Sequence, residues 1–444
     1  MSTEGFFRLA DRLCEGLQQG GNGSGEVLFC SLDGEASDFV RLNQGRIRQA
    51  GAVHRQSLDL TLIRGRRQVT GSCDLSGDRE LDLLRARDLL GRLRERLPQV
   101  PEDPYLNYSE ICSAGEHLTE ACLPVAAEAV GELVSAAEGL DLVGIWASGD
   151  LYHGLASSLG HRHWHAGASF NLDWSCYLGG DKAVKAAYAG THWDPAALRE
   201  RLAEVRRALA VMARPARSIP PGRYRAYLAP QALKELTDML GWGGFDLKSH
   251  RTHQTPLLRL VRGERALHPG LGLYEDHARG LAPRFTAEGF LTPDRVDLIA
   301  GGAYRGCLVD ARSGKEYGVG VNAAGESPES LGMDPGEIPR DQALARLGEG
   351  LAIGNLWYCN WSDPNDCRVT GMTRFATFWV EGGELVAPVE VMRFDDSLYH
   401  VLGDRLEGLT RERELLLSAD TYGGRGSESC LLPGVLVDGL ELTL

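Results

Sequence analysis

The chain has 444 residues, more than one ordinary hydrophobic core accommodates, so we expect two or three domains. With 43% hydrophobic and 24% charged residues its composition is that of a globular protein, and we expect neither a membrane span nor a signal peptide. The net charge of −14 argues against a nucleic-acid partner, because such binding needs basic patches. The scattered cysteines contain no Cys-x-x-Cys pair, which favours reduced thiols and a cytoplasmic location.

The first hundred residues predict a small α/β domain. Apolar residues at helical spacing indicate a helix over residues 6–18, and a second amphipathic helix is predicted over 81–97. Between them, short runs predict antiparallel strands at 27–31, 39–42, 46–49, 58–63 and 68–72. Prolines are frequent in 98–104 and indicate a linker, so we place an N-terminal α/β domain at residues 1–100.

The remainder divides at a second proline-rich stretch, residues 213–222. Before it, the pattern predicts a helix over 119–138, strands over 142–189 and a helix over 195–213 that Asp194 caps. We therefore place a middle α+β domain at residues 105–214. From 222 to 444, short β-like runs between glycines predict a large, mostly antiparallel β-rich C-terminal domain. The predicted fold class is α+β.

One segment of the C-terminal part, residues 273–325, has a distinctive order. A polar turn at 274–277 is followed by the hexapeptide FTAEGF, a β-like run at 295–299 and a Gly301-Gly302 turn. This order resembles the C-terminal domain of the TldD/PmbA family, the modulators of DNA gyrase. The segments FVRLNQGRIRQAG, YHGLASSLGHRH and SESCLLPGVLVDGLELTL also resemble this family, so the resemblance covers essentially the whole chain. Ser157 departs from the pattern, because family members carry Asn-Ser-x-Gly at this turn.

The resemblance raises the question of zinc. In the peptidase branch, TldD, a helix after the start of the third domain carries His-Glu-x-x-x-His, and a distant cysteine supplies a further ligand. We take residues 240–260 as the corresponding region. It contains His250 and His253 but no glutamate between them to activate a water molecule. Cys430 lies where the peptidase branch has its cysteine, so His250, His253 and Cys430 are the candidate ligands if the chain binds zinc itself.

The missing glutamate favours the other branch, TldE, also called PmbA. The resemblance then implies a TldE/PmbA-like subunit of a TldD/TldE-type zinc metallopeptidase complex that acts on unfolded or modified peptides. In this interpretation the chain has no catalytic residue and no metal of its own, and a TldD-like partner holds the zinc. Two alternatives stay open: a self-contained zinc peptidase, or a non-catalytic homodimeric scaffold that binds peptides.

Two clusters are candidates for substrate binding. His161, His163 and His165 alternate along a predicted strand, so their side chains should lie on one face, which we expect to be exposed to solvent. In a peptide-binding protein such a face could line a groove. The second cluster is aromatic and consists of Trp357, Tyr358 and Trp361. Core packing is the favoured interpretation of these aromatic residues, and a groove for substrate or partner is the alternative.

Overall fold

The computed structural model describes residues 2–18, 25–180, 182–421 and 423–443. The helices are α1 (Thr3–Gln18), α2 (Arg79–Arg96), α3 (Ala126–Ala136), α4 (Pro195–Met212), α5 (Pro230–Gly241), α6 (Leu247–Arg251), α7 (Leu258–Val261), α8 (Ala311–Tyr317) and α9 (Ala343–Leu347). Two large sheets accompany them. This confirms the predicted α+β class, including the sheet-rich C-terminal part.

The first sheet is formed by strands from the first half of the chain. Its strands are β1 (Glu26–Asn43), β2 (Arg46–Arg64), β3 (Arg67–Asp74), β4 (Ala114–Thr119), β5 (Asp141–Ser157), β6 (Arg162–Gly179) and β7 (Lys182–Gly190). The order is β3-β2-β1-β5-β6-β4, and β7 also pairs with β6. β1 and β5 pair in register from Phe29–Ser157 to Leu42–Gly144. The sheet therefore continues without a break across the 98–104 segment.

Local sequence explains the turns and helix starts of this half. The turn between β1 and β2 places Gln44 and Gly45 at positive φ (52° and 65°), the geometry of a tight hairpin turn. Asp78 caps α2 by accepting hydrogen bonds from the backbone N–H groups of Glu80 and Leu81. The helix predicted to start at residue 119 begins only at α3, after Pro124, and β4 occupies residues 114–119 instead.

The second sheet belongs to the C-terminal part. Its strands are β8 (Gly222–Leu228), β9 (Leu273–Glu275), β10 (Val296–Ala300), β11 (Ala303–Tyr304), β12 (Ser330–Met333), β13 (Gly350–Ile353), β14 (Trp357–Asp363), β15 (Arg368–Met372), β16 (Thr377–Glu381), β17 (Glu384–Pro388), β18 (Arg393–Ser397), β19 (Leu406–Leu417) and β20 (Ser429–Leu442). β20 is central, because it pairs with β8, β12, β18 and β19. Most pairings are antiparallel, and the β12–β20 and β8–β13 pairs are parallel.

The two halves meet through polar contacts of the segment before β20. The Arg425 guanidinium donates to the hydroxyl of Ser37 (3.0 Å), to the carbonyl of Gly149 (3.2 Å) and to the hydroxyl of Ser169 (2.7 Å). Asn171 donates to the carbonyl of Ser418 at 3.0 Å. These contacts tie the first sheet to the C-terminal part. None of the described helices combines the length and the apolar character that crossing a membrane requires.

Candidate functional site

The first helix after the start of the C-terminal part is α5, and its two faces differ sharply. Pro230 occupies its first turn, where a missing N–H costs nothing. One face is buried and packs Leu233, Leu236 and Leu240 against the second sheet. The other face carries polar side chains, of which Lys234 and Asp238, one helical turn apart, form an ion pair. α5 therefore presents charge to the space beside it.

That space is a cleft of about 450 Å³, which we call the α5 cleft. It is lined by Lys234, Glu235, Asp238, Trp242, Cys359, Glu428 and Cys430, together with neighbouring backbone and apolar groups. Cys430 lies on β20 and its side chain is buried. The resemblance predicts that the region corresponding to the zinc-binding helix of the peptidase branch lies at residues 240–260. The helix that faces Cys430 is instead α5.

The electrostatics of the α5 cleft keep its thiols protonated. The pKa of Cys430 is raised to about 12, chiefly by burial, while Lys234 opposes the shift and Asp238 adds to it. Burial, with Glu235 and Asp238, also raises the pKa of the Cys359 thiol to about 12. Burial acts to lower the pKa of Lys234, but Asp238 and other acidic groups outweigh it, so the pKa is raised and the ammonium group stays charged.

This donor set does not fit zinc. A zinc site of this kind requires a thiolate and neutral imidazoles, whereas the described lining of the α5 cleft holds no imidazole. It offers two thiols that stay protonated, an ammonium group and three carboxylates, one of which the ammonium group already neutralises. Among the described residues, no group of three or more His, Cys, Asp or Glu side chains lies close enough to hold a metal ion.

The structure does not bring His250, His253 and Cys430 together as a ligand set. His250 lies in α6, is buried, and donates from Nε2 to the carbonyl of Gly244 at 2.8 Å. His253 follows the end of α6, is exposed and has a positive φ of 60°. The two imidazoles therefore do not share one helical face, and Cys430 lies beside α5 instead.

His161, His163 and His165 are buried, so the expectation of a solvent-exposed histidine face is wrong. His161 Nδ1 forms a hydrogen bond with the hydroxyl of Ser157 (2.7 Å), and His163 Nε2 forms one with the hydroxyl of Ser113 (2.8 Å). His165 Nε2 donates to the carbonyl of Leu281 at 2.9 Å. The strand pattern alone does not show what covers this face, because the covering segment, which includes Leu281 and Phe285, lies more than a hundred residues downstream.

Burial also determines the protonation of these histidines. It lowers the pKa of His161 and of His163, and it lowers the pKa of His165 to about 4, with His153 and His117 adding to the last shift. The ring of His165 stacks on His117 of β4, with centroids 5.2 Å apart, and lies 6.1 Å from His153 of β5. His153 in turn forms a hydrogen bond with Asp33 of β1 (2.5 Å). The row formed by His117, His165 and His153 is not visible in the sequence, because these residues lie on three strands and only the pairing register of the strands brings them side by side.

The aromatic cluster divides into two parts. Trp361 is partly buried and packs against the main core, as the favoured interpretation expects. Trp357 and Tyr358 are exposed (43% and 76%), so core packing is wrong for these two residues. They begin β14, which pairs with β15 along one edge among the described strands. β14 also contributes the next residue, Cys359, to the α5 cleft.

Glu275, a buried carboxyl group, lies next to the segment that lines the α5 cleft. In the sequence it is one of three glutamates, with Glu264 and Glu288, that could replace the missing base, and the spacing selects none of them. Glu275 Oε1 accepts hydrogen bonds from the backbone N–H groups of Glu329 (3.0 Å) and Ser330 (2.7 Å). Burial raises the pKa of Glu275 to about 8, although these two hydrogen bonds oppose the shift. The sequence could have indicated Lys234, Glu235 and Asp238 through their place on the first helix after residue 222, but no pattern distinguished Glu275.

Comparison with solved structures shows the fold. The chain superposes on TldE from Thermococcus kodakarensis with a TM-score of 0.76 at 15% identity, covering 99% of this chain and 100% of that one. A candidate modulator of a DNA gyrase from Thermotoga maritima gives 0.75 at 16%, with coverage of 99% and 100%. A similar candidate modulator of DNA gyrase from Bacteroides thetaiotaomicron gives 0.72 at 16%, with 98% of both chains covered.

The sequence itself matches one family model. Curated proteins give no match to the chain. Residues 221–444, half of the chain, match the model described as the PmbA/TldA metallopeptidase C-terminal domain. That range begins just before β8 and includes α5, Cys430 and the whole second sheet. The chain therefore belongs to the TldD/PmbA family and has the TldE-like fold.

Proposed function

We propose that the chain is the non-metal, TldE/PmbA-like subunit of a TldD/TldE-type zinc metallopeptidase complex in the cytoplasm. The observation that carries the proposal is the composition of α5. This helix faces Cys430, as a metal helix would, but its sequence PQALKELTDMLG contains no histidine. Without imidazoles beside the thiol, the described lining of the α5 cleft lacks the ligands that a catalytic zinc ion usually takes. The zinc and the chemistry then belong to a homologous, TldD-like partner.

The substrate in this proposal is an unfolded or modified peptide in extended form. β14 supports the idea. Among the described strands it pairs with β15 along one edge, which leaves its other edge without a strand, and Trp357 and Tyr358 are exposed at its start. An extended peptide can add to a free strand edge through its backbone, and aromatic side chains provide contact area. The polar face of α5 lies beside this strand and would bound the space that the peptide occupies.

The decisive experiment mixes the purified chain with a TldD-like chain that contains His-Glu-x-x-x-His. We expect a stable complex in size-exclusion chromatography with light scattering, one zinc ion for each TldD-like chain, and cleavage of an unfolded peptide that this chain alone does not cut. A partner whose motif glutamate is changed to alanine should form the same complex without cleavage. Absence of a complex together with no gain in proteolysis would refute the proposal.

A matched variant tests the self-contained alternative. His253→Asn keeps a residue that tolerates positive φ and removes the exposed imidazole. We expect zinc content and cleavage by the complex to stay unchanged. If this variant lowers the zinc content of the complex, the metal lies on this chain and the subunit proposal fails. A homodimer that never exchanges with a TldD-like chain would support the scaffold alternative instead.

A further inference from the structure

A second cavity, separate from the α5 cleft, opens between α4 and the second sheet. Its volume is about 360 Å³, within the range of small-ligand sites. α4 and β7 form one side, and β8, β13 and the first residues of α5 form the other. It shares no lining residue with the α5 cleft, so the two spaces can be tested separately.

Positive charge exceeds negative charge along the described lining of this cavity. The cations are Lys185, Arg201, Arg207 and Arg340, and the acids are Glu204 and Glu414. Both acids are already engaged. Arg201 lies 3.2 Å from Glu414, and Arg340 lies 2.7 Å from Glu414 and 3.2 Å from Glu204. Arg207 has no ion-pair partner within the described ranges, so its guanidinium is available to an anion.

Two further donors open into the same cavity. Ala229 precedes α5 and has no side chain that could cap the helix, while Gln231 in its first turn lines the cavity. Pro230 has no N–H, and the N–H of Leu233 donates to the carbonyl of Ala229. The N–H groups of Gln231 and Ala232 are therefore those at this helix start that can attract an anion. Tyr227 also lines the cavity, and its hydroxyl makes no hydrogen bond with any residue that the structure describes. A hydroxyl without a partner on the wall of a cavity is a donor that a ligand can satisfy.

The rest of the cavity wall is apolar. It includes Val184, Ala186, Val205, Ala208, Ile353 and Phe378. An aliphatic group is stabilised by packing against such a wall, because its apolar surface is removed from water. A small inorganic anion would leave this surface without contact. The cavity therefore combines an anion-binding end with room for a hydrocarbon group.

We propose that this cavity binds a carboxylate that carries a compact apolar group. The carboxylate would accept hydrogen bonds from Arg207, from the Tyr227 hydroxyl and from the first N–H groups of α5, and its apolar group would pack against the wall that α4 and β13 supply. The C-terminal residue of a peptide and a free branched-chain acid share this chemistry. The site differs from the α5 cleft and does not depend on the presence of a TldD-like partner.

The test is calorimetric titration of the purified chain with N-acetyl-L-leucine and with its neutral amide. We expect the acid to bind and the amide to bind about tenfold more weakly, since a charge-assisted hydrogen bond is lost. Arg207→Gln should weaken binding of the acid about tenfold, and Tyr227→Phe about threefold, without changing binding of the amide. Equal affinities for acid and amide, or no binding of the acid, would overturn the proposal.

Arg199→Gln is the matched control, because Arg199 is also exposed on α4 but does not line the cavity. It should bind N-acetyl-L-leucine as the unchanged chain does. An equal loss of affinity with Arg199→Gln and Arg207→Gln would mean that the overall positive charge of α4 attracts the acid, and the site would be rejected. Tighter binding of the tripeptide Ala-Ala-Leu than of 4-methylpentanoate would identify a peptide end as the ligand, and the reverse order a free acid.

Discussion

Lys234 and Asp238 lie one turn apart on α5 and form an ion pair directly beside the buried thiol of Cys430. The ammonium group fills the position from which a helix could offer a ligand to a metal. The carboxylate of Asp238 neutralises the charge of the Lys234 ammonium group, so the pair needs no further counter-ion. This relationship leads to a direct gain-of-function prediction.

The double variant Lys234→His with Asp238→His should bind one zinc ion per chain. Imidazoles four residues apart on a helix share a face, and that face is turned towards Cys430. Metal analysis after dialysis measures the stoichiometry, and competition with a chelator gives the affinity. Adding Cys430→Ala should weaken zinc binding by more than about tenfold, a loss seen even for outer-shell partners. An unchanged affinity after this third substitution would show that α5 and Cys430 do not face each other.

Arg425→Ala should destabilise the protein by about 3 kcal/mol. The substitution leaves the hydroxyls of Ser37 and Ser169 and the carbonyl of Gly149 without their charged donor at the junction of the two halves. Denaturant unfolding followed by circular dichroism gives the free energy of unfolding. Arg87→Ala, an exposed change on α2, is the control and should stay within about 0.5 kcal/mol of the unchanged chain. A similar small effect of Arg425→Ala would contradict the assigned contacts.

His165 should make the folded state sensitive to acid. Its pKa is about 4 in the folded chain and 6.5 in the unfolded chain, so between these values only the unfolded chain binds the proton. Stability should therefore fall as the pH falls through this window, by up to about 1.4 kcal/mol per pH unit. His165→Gln can still donate to the carbonyl of Leu281 and should flatten the decline. The free energy of unfolding measured across the window decides the matter, and an unchanged slope would exclude His165 as a cause.

Glu275 should act in the opposite direction. Burial raises its pKa from 4.5 to about 8, so between these values the folded chain holds a proton that the unfolded chain has released. This group's contribution to stability should decrease as the pH rises through that window and level off above it. Glu275→Gln keeps an oxygen that accepts from the Glu329 and Ser330 N–H groups and should remove the decrease, with a stability gain near pH 8. If the variant follows the same pH curve as the unchanged chain, Glu275 is ionised throughout.

The fold was largely accessible from the sequence because its signals are local. Prolines and caps defined helix starts such as Asp194 before α4, and the Gln44-Gly45 turn indicated the first hairpin. Strand lengths were not accessible in the same way. β1 and β2 run on through residues that show weak alternation, because cross-strand pairing over their whole length holds them together. The helix predicted from residue 119 starts later, because Pro124 is unfavourable in the interior of a helix and α3 begins only beyond it.

The candidate site was less accessible, because its residues meet only through the tertiary fold. Cys430, one of the two cysteines that line the α5 cleft, is a candidate from the sequence. Its neighbours Lys234 and Asp238 lie more than 190 residues earlier, on a helix that resembles an ordinary amphipathic one. The histidines of β6 form a regular pattern that predicts one face but not what covers it. The exposed Trp357 and Tyr358 show the converse, since their position at a sheet edge outweighs their preference for the core.

The pairing of β1 with β5 has a consequence for how the chain can be divided. A protease that cuts within residues 98–104 would separate the polypeptide into two fragments, yet the backbone hydrogen bonds along fourteen residue pairs would still join them. Such a nicked protein should migrate as one particle under native conditions and as two bands once denatured. Expression of residues 1–100 alone would instead leave the β5-facing edge of β1 open and ready to recruit strands from other chains.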